Sequence, residues 1–328
     1  MILVTGATGL VGSHLVLHLI EQGQDVKAMY RNEFGKQRVK SVFKYYHKDD
    51  LFDKISWCQA DILDVPSLEI AFKEVDYVYH CAALISFDPK EEENLRKNNI
   101  EGTANMVNFC IDYKVKKFCY VSSIAALGDL REKENIITEE TEWNSEKLHS
   151  DYAISKYGAE MEVWRAQQEG LAVVVVNPGV ILGPLFWIHG SGEIYQKVKK
   201  GMPFYTKGST GFVAVTDVVK IMFQLMQNTI AGEKFILISE NKTYQDLVYA
   251  ISGVLKVKKP KLYASKLLTD LSWRADWLLT AFSGRKRMLS KNLALSLHTT
   301  DVYSNEKIVN ALSFQFEPMD SYLLELKN

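Results

Sequence analysis

Tyr152 and Lys156 stand four residues apart in DYAISKYGAE, residues 151–160. On a helix that spacing is just over one turn, so both side chains lie on one face and can meet. A phenol beside an ammonium can give or take a proton, because the cation favours the phenolate. The same pair also suits an ordinary solvated helix face. Its meaning depends on what the rest of the chain places beside it. Ser122 and Ser123, in YVSSIAALG (120–128), close a β-branched run and set two hydroxyls at a strand's C-terminal end. Open α/β sheets bind their ligands there.

The elements that would carry these residues follow a regular rhythm. Short β-branched runs at 2–5, 26–30, 56–59, 77–80, 117–122 and 173–177 predict strands. Helical patterns fill 10–22, 66–73, 91–113 and 151–169. Several of the strands are apolar throughout, as strands buried on both faces are, so the expected class is α/β with a doubly wound parallel sheet. After about residue 178 glycine and proline recur and the rhythm weakens. The expected organisation is a dinucleotide-binding domain over 1–177, with 211–238 returning to pack on it, and a smaller α+β substrate region over 178–328.

TGATGLVG (5–12) lies between the first strand and the first helix and carries Gly6, Gly9 and Gly12. Glycines there permit a tight turn and a close backbone approach to a pyrophosphate. The helix N-terminus adds oriented N–H donors. Thr8, Leu10 and Val11 belong to the same turn. The second strand ends VKAMYRN, with Arg31 where an NAD-binding chain places an acid, and Arg38 and Lys40 beyond it. A guanidinium can hold a 2′-phosphate bidentately, so NADP(H) is favoured, while Glu33 as a late acid keeps NAD possible. In ADILD (60–64), Asp61 can accept from an adenine amino group with Ile62 over the ring; a turn or N-cap aspartate fits equally.

The totals exclude other classes. At 328 residues the chain suits one large domain or two adjoining ones. A net charge of −1 provides no basic field to gather nucleic acid. Cys58, Cys81, Cys110 and Cys119 form no CxxC pair, so free thiols in a reducing cytoplasm are expected, with no metal site. MILVTG reads as a core strand, not as a leader, and LAVVVV (171–176) is far shorter than the ~20 residues of a membrane span. A soluble, cytoplasmic protein is expected.

The ordered set TGATGLVG, ADILD, HCAA (80–83), NNIEGT (98–103), YVSSIAALG, YAISK (152–156) and NPGVILGP (177–184) resembles the extended short-chain dehydrogenase/reductase family. Within it the set is most similar to dihydroflavonol reductases and 3β-hydroxysteroid dehydrogenases, and the resemblance spans residues 1 to about 220. It implies a Rossmann-like fold and hydride transfer between a nicotinamide and a carbonyl or secondary alcohol of a small molecule. Tyr152 would be the proton donor or acceptor, its phenolate favoured by Lys156, which would also bond the nicotinamide ribose. Ser123 would polarise the substrate oxygen, with Ser122 nearer the cofactor. Asn99 would serve a proton relay or hold backbone. Cys81, Ala82 and Ala83 would line the cofactor's path. Pro178 and Gly179 would shape the turn against the nicotinamide, and His80 would only pack.

Nucleotide-sugar relatives carry an arginine before an FVHVDDV-like segment. Here KGSTGFVAVTDVV has none, and Ala214 replaces the histidine. Arg274, Arg285 and Arg287 keep an epimerase or dehydratase reading open. A non-catalytic cofactor-binding scaffold would be expected to lack the tyrosine or lysine. In SWRADWLLTAFSGRKR (272–287), Trp273, Trp277 and Phe282 precede a basic cluster. A helix capping the substrate pocket is expected there, ahead of a lipid-facing helix. The family's four-helix contact between two copies leads to an expected homodimer through 91–113 and 151–169, with Met106, Phe109, Met161 and Trp164 on it.

Overall fold

The computed structural model describes residues 1–187, 190–283 and 289–326, without the side chains of 281–283. Its strands are β1 (Ile2–Thr5), β2 (Val26–Tyr30), β3 (Ser56–Gln59), β4 (Tyr77–His80), β5 (Lys117–Val121) and β6 (Val173–Pro178), then β7 (Val180–Leu182), β8 (Phe204–Tyr205), β9 (Ser209–Ala214), β10 (Glu233–Leu237), β11 (Glu240–Thr243) and β12 (Leu262–Tyr263). Seven of them form one sheet in the order β10-β6-β5-β4-β1-β2-β3, and every pairing in it is parallel. The chain reverses direction across the sheet between β1 and β4. That switch point opens a crevice above their C-terminal ends.

The crossovers contain α1 (Leu10–Glu21), α2 (Glu33–Tyr45), α3 (Val65–Ala71), α4 (Glu92–Leu95) running into α5 (Gly102–Asp112), and α6 (Asp151–Gln168). Alternate strand residues feed opposite layers. Ile2, Val4, Ala28 and Val174 pack under α1 and α2, while Leu3, Met29, Val173 and Val175 pack under α3, α5 and α6. Burial on both faces explains why these strands read as continuous apolar runs. Sequence reading offered no helix for α2. Its core face rests on Val39, Val42 and Phe43, and its polar remainder hides the period.

Beyond β6 come α7 (Gly192–Lys199), α8 (Val215–Gln227), α9 (Tyr244–Leu255), α10 (Lys266–Ser283) and α11 (Lys291–Ser296). Val218, Ile221, Met222 and Leu225 of α8 join the core under α1, and β10 adds the sheet's edge strand. The remaining segments make a second core around Phe212, Leu247, Ile251 and Tyr322, with a three-strand sheet β11-β9-β7. Among the described residues no helix is long and apolar enough to cross a membrane.

Candidate active site

Every residue assigned to the site from sequence lies at the C-terminal end of a strand of the large sheet, in the turn that follows, on a helix beginning there, or on the helices beside it. Gly6 has φ +60°, and a Cβ on it would stand 2.6 Å from the Ala82 nitrogen, so the turn after β1 and the turn after β4 are in backbone contact. A Cβ on Gly12 would collide with the Gly6 carbonyl. Gly9 begins α1 with no side chain capping it, so the first-turn N–H groups at Leu10, Val11 and Gly12 face the crevice. This cradle fits a dinucleotide's pyrophosphate: it offers backbone donors, a helix dipole and no side chain in the way.

Thr8 packs against Gly35 of α2, which brings the end of β2 beside the cradle. Arg31 is exposed there, and Arg38 is exposed one helix turn on, its guanidinium 5.5 Å from the Phe34 ring centre. Lys40 instead lies 5.8 Å from the Phe52 ring. Glu33 is paired with Lys36 at 2.9 Å, and that ammonium sits 3.9 Å over Tyr30. Asp61 Oδ1 accepts from Leu63 N at 3.0 Å, the turn use that was one of its two readings. Ile62 is buried and lies against Gly102.

His80 is a packed strand residue. Thr103 Oγ1 donates to the Asn99 carbonyl, so it accepts from His80 Nε2–H; Nδ1 then accepts from Thr5 Oγ1, which in turn accepts from Ala82 N. Burial and the nearby Lys156 push this imidazole down to about 3, so it stays neutral. Burial raises the Cys81 thiol to about 12, which leaves it no nucleophilic character at neutral pH. Asn99 sits in a π-helical turn, Arg96–Glu101, between α4 and α5. Its amide accepts from Leu84 N at 2.7 Å and donates to Leu84 O and Ser155 Oγ. These contacts are the backbone-holding role of the two weighed. Pro178 ends β6, and Gly179 packs on Gly211.

Ser150 caps α6, accepting from Ala153 N, so Tyr152 and Lys156 occupy its first two turns. The two serines separate cleanly. Ser122 is buried and donates to Glu160 Oε2 at 2.7 Å, whereas the Ser123 hydroxyl lies near the Tyr152 phenol and opposes the rise that burial imposes on it. Phe87 meets the Tyr152 ring edge-on at 5.8 Å. Lys156 is 1% exposed and donates to Tyr120 OH at 2.8 Å and Val121 O at 2.7 Å. Burial lowers it to about 7, with Glu160 and Cys81 resisting.

Burial holds the Tyr152 phenol above its usual value, and Lys156 Nζ is hydrogen-bonded to the end of β5, partners that the shared helix face did not suggest. Met106 is a correction: it is fully buried in this chain's own core and reaches no surface. Sequence reading missed Tyr120, Asn177 and Glu160. Glu160 is 1% exposed and accepts from Ser122, from Asn177 Nδ2 at 3.0 Å and from Trp164 Nε1 at 3.3 Å. Its place four residues after Lys156 was the available signal.

Comparison with known proteins agrees with this geometry. Residues 2–238 match the NAD dependent epimerase/dehydratase family. A putative dihydroflavonol 4-reductase of Synechocystis sp. is 30% identical over 266 residues, 79% of this chain and 73% of that one. Tetraketide alpha-pyrone reductase 2 of Arabidopsis thaliana is 27% identical over 261 residues, covering 75% and 80%. The crystal structure of gox2253 superposes with a TM-score of 0.83 at 26% identity, covering 99% of this chain and 96% of that one. With a pyrophosphate cradle, a serine–tyrosine pair and a buried lysine on that framework, the chain belongs to the NAD dependent epimerase/dehydratase family, as an NAD(P)-dependent reductase.

Proposed function

We propose that this protein reduces a carbonyl of a small, uncharged organic molecule using NADPH, with Tyr152 as proton donor. The observation that carries the reading is the placement of Ser123, just beyond the end of β5, near Tyr152 in the first turn of α6, on the same sheet edge as the glycine cradle. When bound, the nicotinamide cofactor supplies the hydride. A phenol held above its ordinary value is protonated throughout the neutral range, so it suits donation to a carbonyl oxygen better than abstraction from an alcohol. Ser123 Oγ accepts from Ala125 N, which leaves its O–H free to donate to a substrate oxygen placed there. Lys156 and Asn99 hold the floor and wall of the site. A panel of ketones, aldehydes and UDP-sugars, assayed with each reduced cofactor, tests this reading. Turnover confined to the sugars would replace it with the epimerase alternative, which finds little support in Arg274, tied to Asp270 at 2.5 Å on an exposed helix. Arg285 and Arg287 lie outside the described residues.

The NADPH preference rests on Arg31. A charge-assisted contact to a 2′-phosphate contributes about 1.5–3 kcal/mol, or roughly ten- to a hundredfold in Kd. Glu33 is occupied by Lys36 and competes poorly for ribose hydroxyls. Fluorescence titration should therefore show NADPH binding tighter than NADH by that factor, and Arg31→Asp should abolish or invert the preference. Equal affinities in the wild type would refute it.

A homodimer through α5 and α6 is also proposed. Met161 is exposed, and Phe109 and Trp164 are half-buried on those helices. Light scattering at micromolar concentration should return twice the chain mass; a monomer mass there would reject this contact.

A further inference from the structure

Helix α10 is built inside out. Its protein-facing stripe is Thr269, Asp276 and Thr280, spaced i, i+7, i+11 and each under 9% exposed. Its solvent-facing stripe is Leu267 (73% exposed), Leu271 (58%) and Leu278 (50%), flanked by Leu268 and Trp277 (54%), with the exposed Arg274 on the same face between Leu271 and Leu278. The expected pocket cap is not what this arrangement makes, because the apolar side points away from the protein. Leu262 and Tyr263 of β12, the strand that precedes the helix, and Phe204 of its partner β8 are exposed as well. Such a run of large apolar side chains marks a surface meant to be covered.

Charge says by what. Residues 256–291 hold ten Lys and Arg against two Asp, a net +8, while the rest of the chain carries −9 within the overall −1. Lys256, Lys258, Lys259, Lys261, Lys266, Arg274 and Lys291 are all exposed. Both acids are used locally: Asp270 pairs with Arg274 and accepts from Trp273, and the buried Asp276 accepts from Leu289 N. A two-fold contact between copies through this face would set +8 against +8. An acidic surface with an apolar interior satisfies both halves of the pattern.

We propose that α10 is a docking helix for an anionic lipid bilayer, lying in the interface with its leucine stripe inserted and its lysines on the headgroups. The proposal is independent of the reaction assigned above, since none of these residues belongs to the catalytic or cofactor machinery. The full-length protein should sediment with phosphatidylcholine/phosphatidylserine vesicles at least about tenfold more strongly than with phosphatidylcholine alone, and raised salt should weaken this binding. Leu267→Ser/Leu271→Ser/Leu278→Ser should cost about tenfold or more in vesicle binding, with unchanged melting and turnover, because the three leucines are exposed. Lys261→Glu/Lys266→Glu should weaken binding to the anionic vesicles alone. Failure of the wild type to sediment, equal affinity for both vesicles, or undiminished binding by the triple variant would overturn the proposal. So would a triple variant whose only change is a smaller oligomer, since that would assign the face to a second copy.

Discussion

Tyr152→Phe should lower kcat by about 10² or more and leave the Kd for NADPH within about threefold. The variant removes one oxygen and retains the ring that Phe87 meets edge-on. Because the phenol's neighbour is the Ser123 hydroxyl, stability should hardly change. A loss in kcat and in kcat/KM of the same size would identify an interaction made only in the transition state. Ser123→Ala should show the same pattern at about 10²–10³, as losing a donor at a developing oxyanion does. Ser122→Ala makes the informative contrast. Its hydroxyl is spent on Glu160, so its effect should fall on stability instead of turnover. Full activity in Tyr152→Phe on the true substrate would remove the proposed mechanism.

The order of the chemistry was legible along the chain, but its depth was not. Glycine spacing, strand-end serines and the YAISK helix are local patterns, and each constrains backbone geometry directly, so they sit at one sheet edge as their positions implied. What escaped is set by contacts between distant segments. Asn99 reads as a polar residue inside a helix, and only the π-turn and the approach of Leu84 and Ser155 give its amide a task. Lys156 looked like Tyr152's partner because both lie on one helix face. The end of β5, thirty-five residues earlier in sequence, holds its ammonium. α10 shows the converse: its aromatic spacing was read as a cap because periodicity finds an apolar face without saying which way it points.

Glu160→Leu should destabilise the protein by about 3–5 kcal/mol, the usual cost of stranding a buried charge. Glu160 and Lys156 are each 1% exposed on successive turns of α6, and Glu160 sustains part of the lysine's charge. Its loss also strips Ser122, Asn177 and Trp164 of their acceptor. Glu160→Gln keeps an acceptor and should cost about 1–2 kcal/mol. Lys156→Met/Glu160→Leu should recover part of the loss, because apolar replacement of both members removes the uncompensated charge. The pH dependence carries a definite sign. Lys156 is lowered to about 7 in the fold against about 10.4 when unfolded, so between those values the unfolded chain binds more protons. Its contribution to stability therefore rises with pH through that window and is lost as pH falls through it; Lys156→Met should flatten the rise. Urea midpoints at the two ends of the window, for wild type, both single variants and the double, complete the test. Strict additivity of the two substitutions, or a Glu160→Leu loss below about 1 kcal/mol, would mean that Lys234, 3.8 Å from Glu160, and the end of β5 already support the lysine without its helix neighbour.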